Sequence, residues 1–245
     1  DLKWNRNINI AIRRSTDGGK SWSNTETIVD YPEGQSASDP SILVDNPSGQ
    51  VFLFFNFMDL DKEKDIYYHY VMVSQDNGQT WSKPKDITSE ITLPEWHNDF
   101  RFITSGRGIS TSTGQLWHTL VDLQRGVTLF GSNDKGKSWF VGATAVKPAD
   151  ESQLIEAKDG TIVMNSRVNS AGIRYIHTTT DGGATWSSRP DSLLIDPGCN
   201  AGLIKTASGK WLFSNLHSAK ERQNLVLQTS KNEGKTWSEM KTIYS

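Results

Sequence analysis

The sequence predicts an all-β chain of repeated propeller blades, on three observations. An eight-residue turn motif recurs five times. Short apolar or alternating runs lie between the copies. No stretch sustains a helical period. The copies are Ser15–Trp22, Ser74–Trp81, Ser132–Trp139, Thr179–Trp186 and Ser230–Trp237, each reading Ser/Thr-x-Asp/Asn-x-Gly-x-x-Trp. Their tryptophans step by 59, 58, 47 and 51 residues. A repeat of about 50 residues is the size of one four-stranded blade.

Each part of the motif suits a hairpin. Asp17, Asp76, Asp134, Asp181 and Asn232 can bond backbone a few residues on, which closes a turn. The following glycine accepts the positive φ of tight hairpins. The tryptophan begins the return strand and can bury a large ring against the sheet. The intervening strands follow in order. Ile8 to Arg14 alternates, and Val51 to Phe57 is almost continuously apolar, as in a sheet covered on both faces. Ile66 to Val73, Val127 to Gly131, Thr161 to Ser166, Ile173 to Thr178, Trp211 to Ser214 and Leu225 to Thr229 read as further strands between Gly, Asp, Asn or Pro. No linker or low-complexity stretch interrupts residues 1–245, which read as one domain.

Composition narrows the function classes. The 245 residues carry 26 Lys+Arg and 28 Asp+Glu, a net charge of −2 that offers no basic face for nucleic acid. No apolar run is long enough to span a membrane, and the N-terminus shows no signal pattern. Cys199 is the single cysteine, so no internal disulfide forms. No motif pairs it with a histidine, and it reads as a small buried residue. The five histidines lack metal-ligand spacing, so the sequence calls for no metal and no cofactor.

At this point the chain resembles the bacterial sialidase (neuraminidase) family, whose Asp boxes are the repeated turn. The resemblance rests on the segments between the boxes. They are Arg13-Arg14 before the first box, Ser38-Asp39-Pro40-Ser41 with Val44-Asp45, Asp150-Glu151 with Lys158-Asp159-Gly160 and Asn165-Ser166-Arg167, and Leu212-Phe213-Ser214-Asn215 with Arg222. It covers nearly the whole chain in order. It implies a six-bladed propeller of which this chain covers most blades, incomplete at both ends. It also implies an exo-α-sialidase acting with retention through a tyrosyl intermediate.

The resemblance implies roles as well. Arg167 and Arg222 hold the substrate carboxylate, a task suited to guanidinium geometry. Glu151 activates the nucleophile, with Glu156 as rival. Asp1, upstream of the first box, is the acid/base group. Asp39 is the alternative acid, a contact for the sugar's N-acetyl or 4-hydroxyl group, or a structural turn before Pro40. Trp96, His97 and Arg101 could wall the pocket for the glycerol side chain and aglycone, or simply pack. Arg101, Arg107, Arg125, Arg174 and Arg189 read as surface ion-pairing residues. The family's Arg-Ile-Pro segment is missing, and Tyr244 follows Trp237 too closely for the nucleophile. Sialylated glycoproteins, glycolipids and oligosaccharides are the implied partners. A bacterial secreted, periplasmic or cell-surface location and a monomer complete the expectation. The competing readings are a non-catalytic carbohydrate-binding propeller and a glycosidase for another acidic sugar.

Overall fold

The computed structural model describes residues 6–245. Asn7–Ile8, Gln35–Asp45, Gln50–Asp59, Tyr68–Ser74 and Lys85–Asp86 form the first sheet, with Gly106–Arg107 added in parallel to Gln35–Asp45. Ile109–Ser110, Leu116–Asp122, Gly126–Ser132 and Phe140–Val141 form the second, joined by Arg101–Ile103. The third contains Ser152–Glu156, Ile162–Ser166, Ile173–Thr179 and Ser187–Ile195; the fourth contains Gly202–Lys205, Trp211–Leu216, Leu225–Ser230 and Ser238–Tyr244. Ile10–Ile12 and Glu26–Val29 pair as a separate hairpin before them. The described residues therefore build four blades and a hairpin, in keeping with a chain that covers only part of a larger propeller.

Each seam between consecutive units has its own apolar core, as expected when sheets stack face to face. Ile10 and Val29 of the hairpin meet Leu53, Phe55 and Met72 of the first sheet. Phe52, Phe54 and Val71 meet Leu116, Leu120 and Phe130 across the next seam. Val121, Val127 and Leu129 then meet Leu154 and Met164, and Ile155, Val163 and Ile176 meet Leu203 and Phe213. The box tryptophans close these seams. Trp139 packs edge-on against Phe52 and Phe54 of the preceding sheet, with centroids 5.5 and 5.0 Å away. Trp22 lies on the hairpin, which follows no sheet among the described residues, and is 55% exposed.

The boxes are self-contained. In the third, Gly136 N–H donates to Ser132 Oγ (2.8 Å), while Ser138 N–H and Oγ donate to the two Asp134 oxygens at 3.0 and 2.6 Å. Such bonds, led by the Ser or Thr hydroxyl four residues on, lower Asp17, Asp76, Asp134 and Asp181 to about 2. A depressed folded-state pKa contributes stability that is full above the unfolded value of about 3.8 and is lost as pH falls through about 2. The urea midpoint is therefore expected to fall between pH 4 and 2. Asp181→Asn is expected to flatten that slope, since Asn232 already makes the same turn with Thr236 N–H and Oγ1 at 2.9 Å each. An unchanged slope in that variant would contradict the assignment.

Both residues before the box turn closes are left-handed, not the glycine alone. Lys135 has φ 63° and Gly136 φ 79°. A Cβ on Gly136 would collide with the Phe52 ring, whereas one on Gly18 meets nothing within 4 Å. Gly136→Ala is expected to cost about 2–3 kcal/mol through strain and overpacking, and Gly18→Ala about 1 kcal/mol through strain alone. Urea denaturation checks both; equal losses would contradict the packing argument.

Registers differ from expectation where the sequence is polar or interrupted. Ile8 to Arg14 reads as one strand, but Ile8 pairs with Ser36 in the first sheet while Ile10 pairs with Val29 in the hairpin. A single helical turn, Thr88–Ile91, and a 3-10 turn, Pro94–Trp96, lie in the link between the first two sheets. No helix among the described residues is long and apolar enough to cross a membrane.

Candidate active site

Pairing registers place the boxes and the candidate residues at opposite ends of the sheets. In the first sheet Asp45 faces Gln50 and Val51 faces Ser74, so the box beginning at Ser74 shares the end with the Asp45–Gln50 turn. Gln35 and Asp59 face each other at the other end. In the third sheet Glu156, Ile162 and Thr179 align at the box end, and Ser152, Ser166 and Tyr175 at the other. The Asp122–Gly126 turn and the Leu216–Leu225 link also lie at this second end.

An open depression of about 520 Å³ occupies that end. Ser38, Asp39, Tyr67, Phe100, Phe102, Leu123, Asp150, Glu151, Arg167 and Asn169 line it. Three sequence-predicted residues thus share one site: Asp39, Glu151 and Arg167.

Asp39 sits where the first sheet's innermost strand bulges. Ser38 faces Asn56 and Ser41 faces Phe54, so Asp39 and Pro40 together oppose Phe55. Proline cannot donate to a ladder, and a bulge re-aims the residue beside it. Asp39 adopts φ 53°, a strained conformation for a non-glycine residue. Its Oδ2 accepts from Ser38 Oγ (3.0 Å) and Asn56 Nδ2 (3.2 Å), and its Oδ1 from Ser105 Oγ (3.2 Å). Ser38 Oγ also lies 3.1 Å from the Tyr67 hydroxyl. Burial, with the Asp39 charge adding to it, raises the Tyr67 pKa.

Glu151 and Arg167 extend the hairpin of the third sheet past its last paired residues. Arg167 N–H donates to Glu151 O (2.9 Å), and Asp150 N–H to Arg167 O (3.0 Å). The side chains therefore emerge together, and Arg167 Nη1 bonds Glu151 Oε2 at 2.5 Å. Asn169 Oδ1 accepts from Arg167 Nε (2.9 Å), and Asn169 Nδ2 donates to Asp150 Oδ2 (2.9 Å). Burial opposes the Arg167 charge, but its bond to Glu151 and the charges of Asp150 and Glu151 outweigh that and raise its pKa. Nη2 has no partner among the described residues and remains available to an anion.

The remaining expectations fall elsewhere. Arg222 is exposed in the link between Leu216 and Leu225, at the same end but outside the lining of the depression. Asp1 lies outside the described residues. Glu156 is at the box end, with its carboxylate held by Ser112 N–H and Oγ. His97 and Arg101 border a separate depression that Tyr68 also lines, and Trp96 lies 5.5 Å under Arg125. Alternation along the strand explains this, since Phe100 and Phe102 face the first depression and Arg101 faces away. Arg101 and Arg174 are not surface ion-pairing residues: each is at most 2% exposed. Tyr244 is 76% exposed on the fourth sheet's outermost strand. Among the described residues no three His, Cys, Asp or Glu side chains gather as metal ligands.

With this geometry in place, comparison with known proteins decides the family. The profile of the BNR repeat-like domain matches residues 4–245. The chain belongs to this BNR-repeat family. Its curated relatives include a sialidase of Bacteroides fragilis, 31% identical over 94% of this chain and 48% of that protein. A Micromonospora viridifaciens sialidase is 31% identical over 93% of this chain and 40% of its own length. Among solved structures, the Hadza microbial sialidase Hz136 superposes with a TM-score of 0.86 at 27% identity, covering 96% of this chain and 52% of that one. The BNR-repeat chain thus spans about half the length of these relatives or less.

Proposed function

We propose that this BNR-repeat chain is part of an exo-α-sialidase, built on a six-bladed ring in the full-length protein, which removes terminal sialic acids from glycoproteins, glycolipids and oligosaccharides outside the bacterial cell. One observation carries the proposal: Glu151 and Arg167 emerge as a bonded pair into the depression that also holds Asp39. The sialidase relatives support the same reading.

The chemistry follows from the substrate. Sialic acid bears an ionised carboxylate on its anomeric carbon. In this reading Arg167 Nη2 binds that carboxylate, as guanidinium geometry favours. The depression lines three carboxylates, Asp39, Asp150 and Glu151, with one guanidinium. An anionic sugar needs further positive charge there, and Arg222 on the neighbouring link is the candidate to supply it. A carboxylate nucleophile would be repelled by the substrate's own carboxylate, so a neutral phenol is the better attacker. A phenol with a pKa near 10 needs a base, and Glu151, steadied by Arg167, serves as one. In this reading the attacking tyrosine is not Tyr244 but one in the remainder of the full-length protein. Asp1 protonates the leaving oxygen and then activates water, giving retention. Asp39 binds the sugar's N-acetyl or 4-hydroxyl side.

The test is release of fluorophore from an aryl α-sialoside by the full-length protein, with the product anomer followed by proton NMR. Initial release of the α-anomer supports the proposal. Binding without turnover would favour the carbohydrate-binding alternative, and initial β-anomer would overturn retention.

A further inference from the structure

We infer that Asn56 is a positioning residue for the candidate site, whose side-chain amide ties the Asp39 carboxylate of the first sheet to the Ile103 backbone of the second. The functional part of this inference rests on the reading above, in which Asp39 contacts substrate.

Asn56 lies on Gln50–Asp59 directly opposite Ser38 and is 0% exposed. Its Nδ2 donates to Asp39 Oδ2 (3.2 Å) and to Ile103 O (3.1 Å). Its Oδ1 accepts from Ile103 N–H (2.9 Å) and lies 3.1 Å from His69 Nδ1. Burial lowers the His69 pKa to about 3, so the ring is neutral at working pH and its Nδ1–H is the donor. All four hydrogen-bonding positions of the amide are filled. A flipped amide would set its NH₂ against the Ile103 N–H and the His69 N–H, which fixes the orientation.

This arrangement couples two walls of the depression. Ile103 ends the strand Arg101–Ile103, beside Phe102 and just after Phe100. Ser105 follows it and holds the other Asp39 oxygen. The carboxylate is thus fixed through both oxygens by groups on either side of the inter-sheet seam. Asp39 needs such support because it stands at φ 53° on a bulge.

The N56D variant keeps the shape and the acceptor but sets a carboxyl beside the Asp39 carboxylate. Two adjacent carboxylates cannot both ionise cheaply, so one pKa rises. A raised folded-state pKa gives stability that is present at low pH and lost as pH rises through it. When protonated, the introduced group can donate to Asp39 as the amide does. The thermal midpoint of N56D is therefore expected to fall from pH 5 to 8 relative to wild type, and D39N added to N56D should abolish that fall. In the full-length protein, N56D should raise KM for an aryl α-sialoside about tenfold at neutral pH, with recovery as pH falls. S105A, which frees the other oxygen, should be non-additive with N56D.

A stability profile parallel to wild type, or one that D39N leaves unchanged, would overturn the coupling. If wild type hydrolyses the sialoside while N56D keeps a wild-type KM at all pH values, the positioning role is overturned. If wild type lacks turnover while the stability arm behaves as expected, the functional reading fails and the Asn56–Asp39 coupling stands.

Discussion

Glu151→Gln is expected to lower kcat of the full-length protein on an aryl α-sialoside by about 10²–10⁴-fold, the range for removing a positioned base. The amide is isosteric and can still accept from Arg167 Nη1, which now bonds Glu151 Oε2 at 2.5 Å. Binding and fold should therefore survive, and KM should change little. What is lost is the capacity to take a proton, which matters only as the nucleophile forms. Steady-state kinetics alongside thermal unfolding separate the two effects. An unchanged kcat would remove Glu151 from the base role and leave Asp150, its neighbour in the depression, as the next candidate.

Arg174→Leu is expected to destabilise the chain by about 3–5 kcal/mol, because it strands a buried charge. The Arg174 guanidinium is 0% exposed and donates to Asn165 Oδ1 (2.7 Å), Asn165 O (3.2 Å), Cys199 O (2.6 Å) and Asp196 Oδ2 (3.5 Å). It also lies 5.9 Å from the Phe213 ring centroid. Burial lowers its pKa to about 10, so it remains charged at neutral pH. Asp196, 1% exposed, would keep bonds from Gly198 N–H, Cys199 N–H and Asn215 Nδ2 but lose its cation. Lysine cannot reproduce the forked contacts to Asn165 and Cys199, so Arg174→Lys should recover only part of the loss. Urea denaturation measures both. A loss below about 1 kcal/mol for the leucine variant would contradict the account of this buried network.

The contrast between Arg174 and the boxes explains what was legible in the sequence. A box closes on itself within eight residues, so its Ser, Asp, Gly and Trp reveal hairpins wherever they occur. Val51 to Phe57 announces a doubly covered strand by its apolar run. Ser187–Ile195 shows no such signal, because six of its nine residues are exposed. The bulged strand Gln35–Asp45 opens on Ser36, Ser38 and Asp39, whose pattern suggests a turn rather than a blade's inner strand. Arg174 stands between Ile173 and Tyr175 with no motif around it, and only its partners Asn165, Asp196 and Cys199, 9 to 25 residues away, make it a core residue.

The site divides in the same way. Asp39, Glu151 and Arg167 stand in short recognisable segments, and the hairpin of the third sheet brings Glu151 and Arg167 side by side. The residues that hold them were not legible. Asn56 and Ser105 reach Asp39 across 17 and 66 residues, and neither lies in a motif. Asn169, by contrast, follows Arg167 by two residues and bonds it, a local signal that the Arg-x-Asn spacing could have given. Trp96, His97 and Arg101 show the opposite case, in which the sequence leaves sugar contact and packing equally open. Their residue types suit sugar contact, but strand alternation turns Arg101 to the far side while Phe100 and Phe102 face the depression.

The most direct test of the central claim is a crystal structure of the full-length protein with a sialic-acid transition-state analogue. The analogue carboxylate is expected within hydrogen-bond distance of Arg167, with Glu151 beside the attacking tyrosine and Asp39 toward the N-acetyl or 4-hydroxyl side. An analogue bound outside the depression, or one whose carboxylate leaves Arg167 in contact with Glu151 and Asn169 alone, would contradict it.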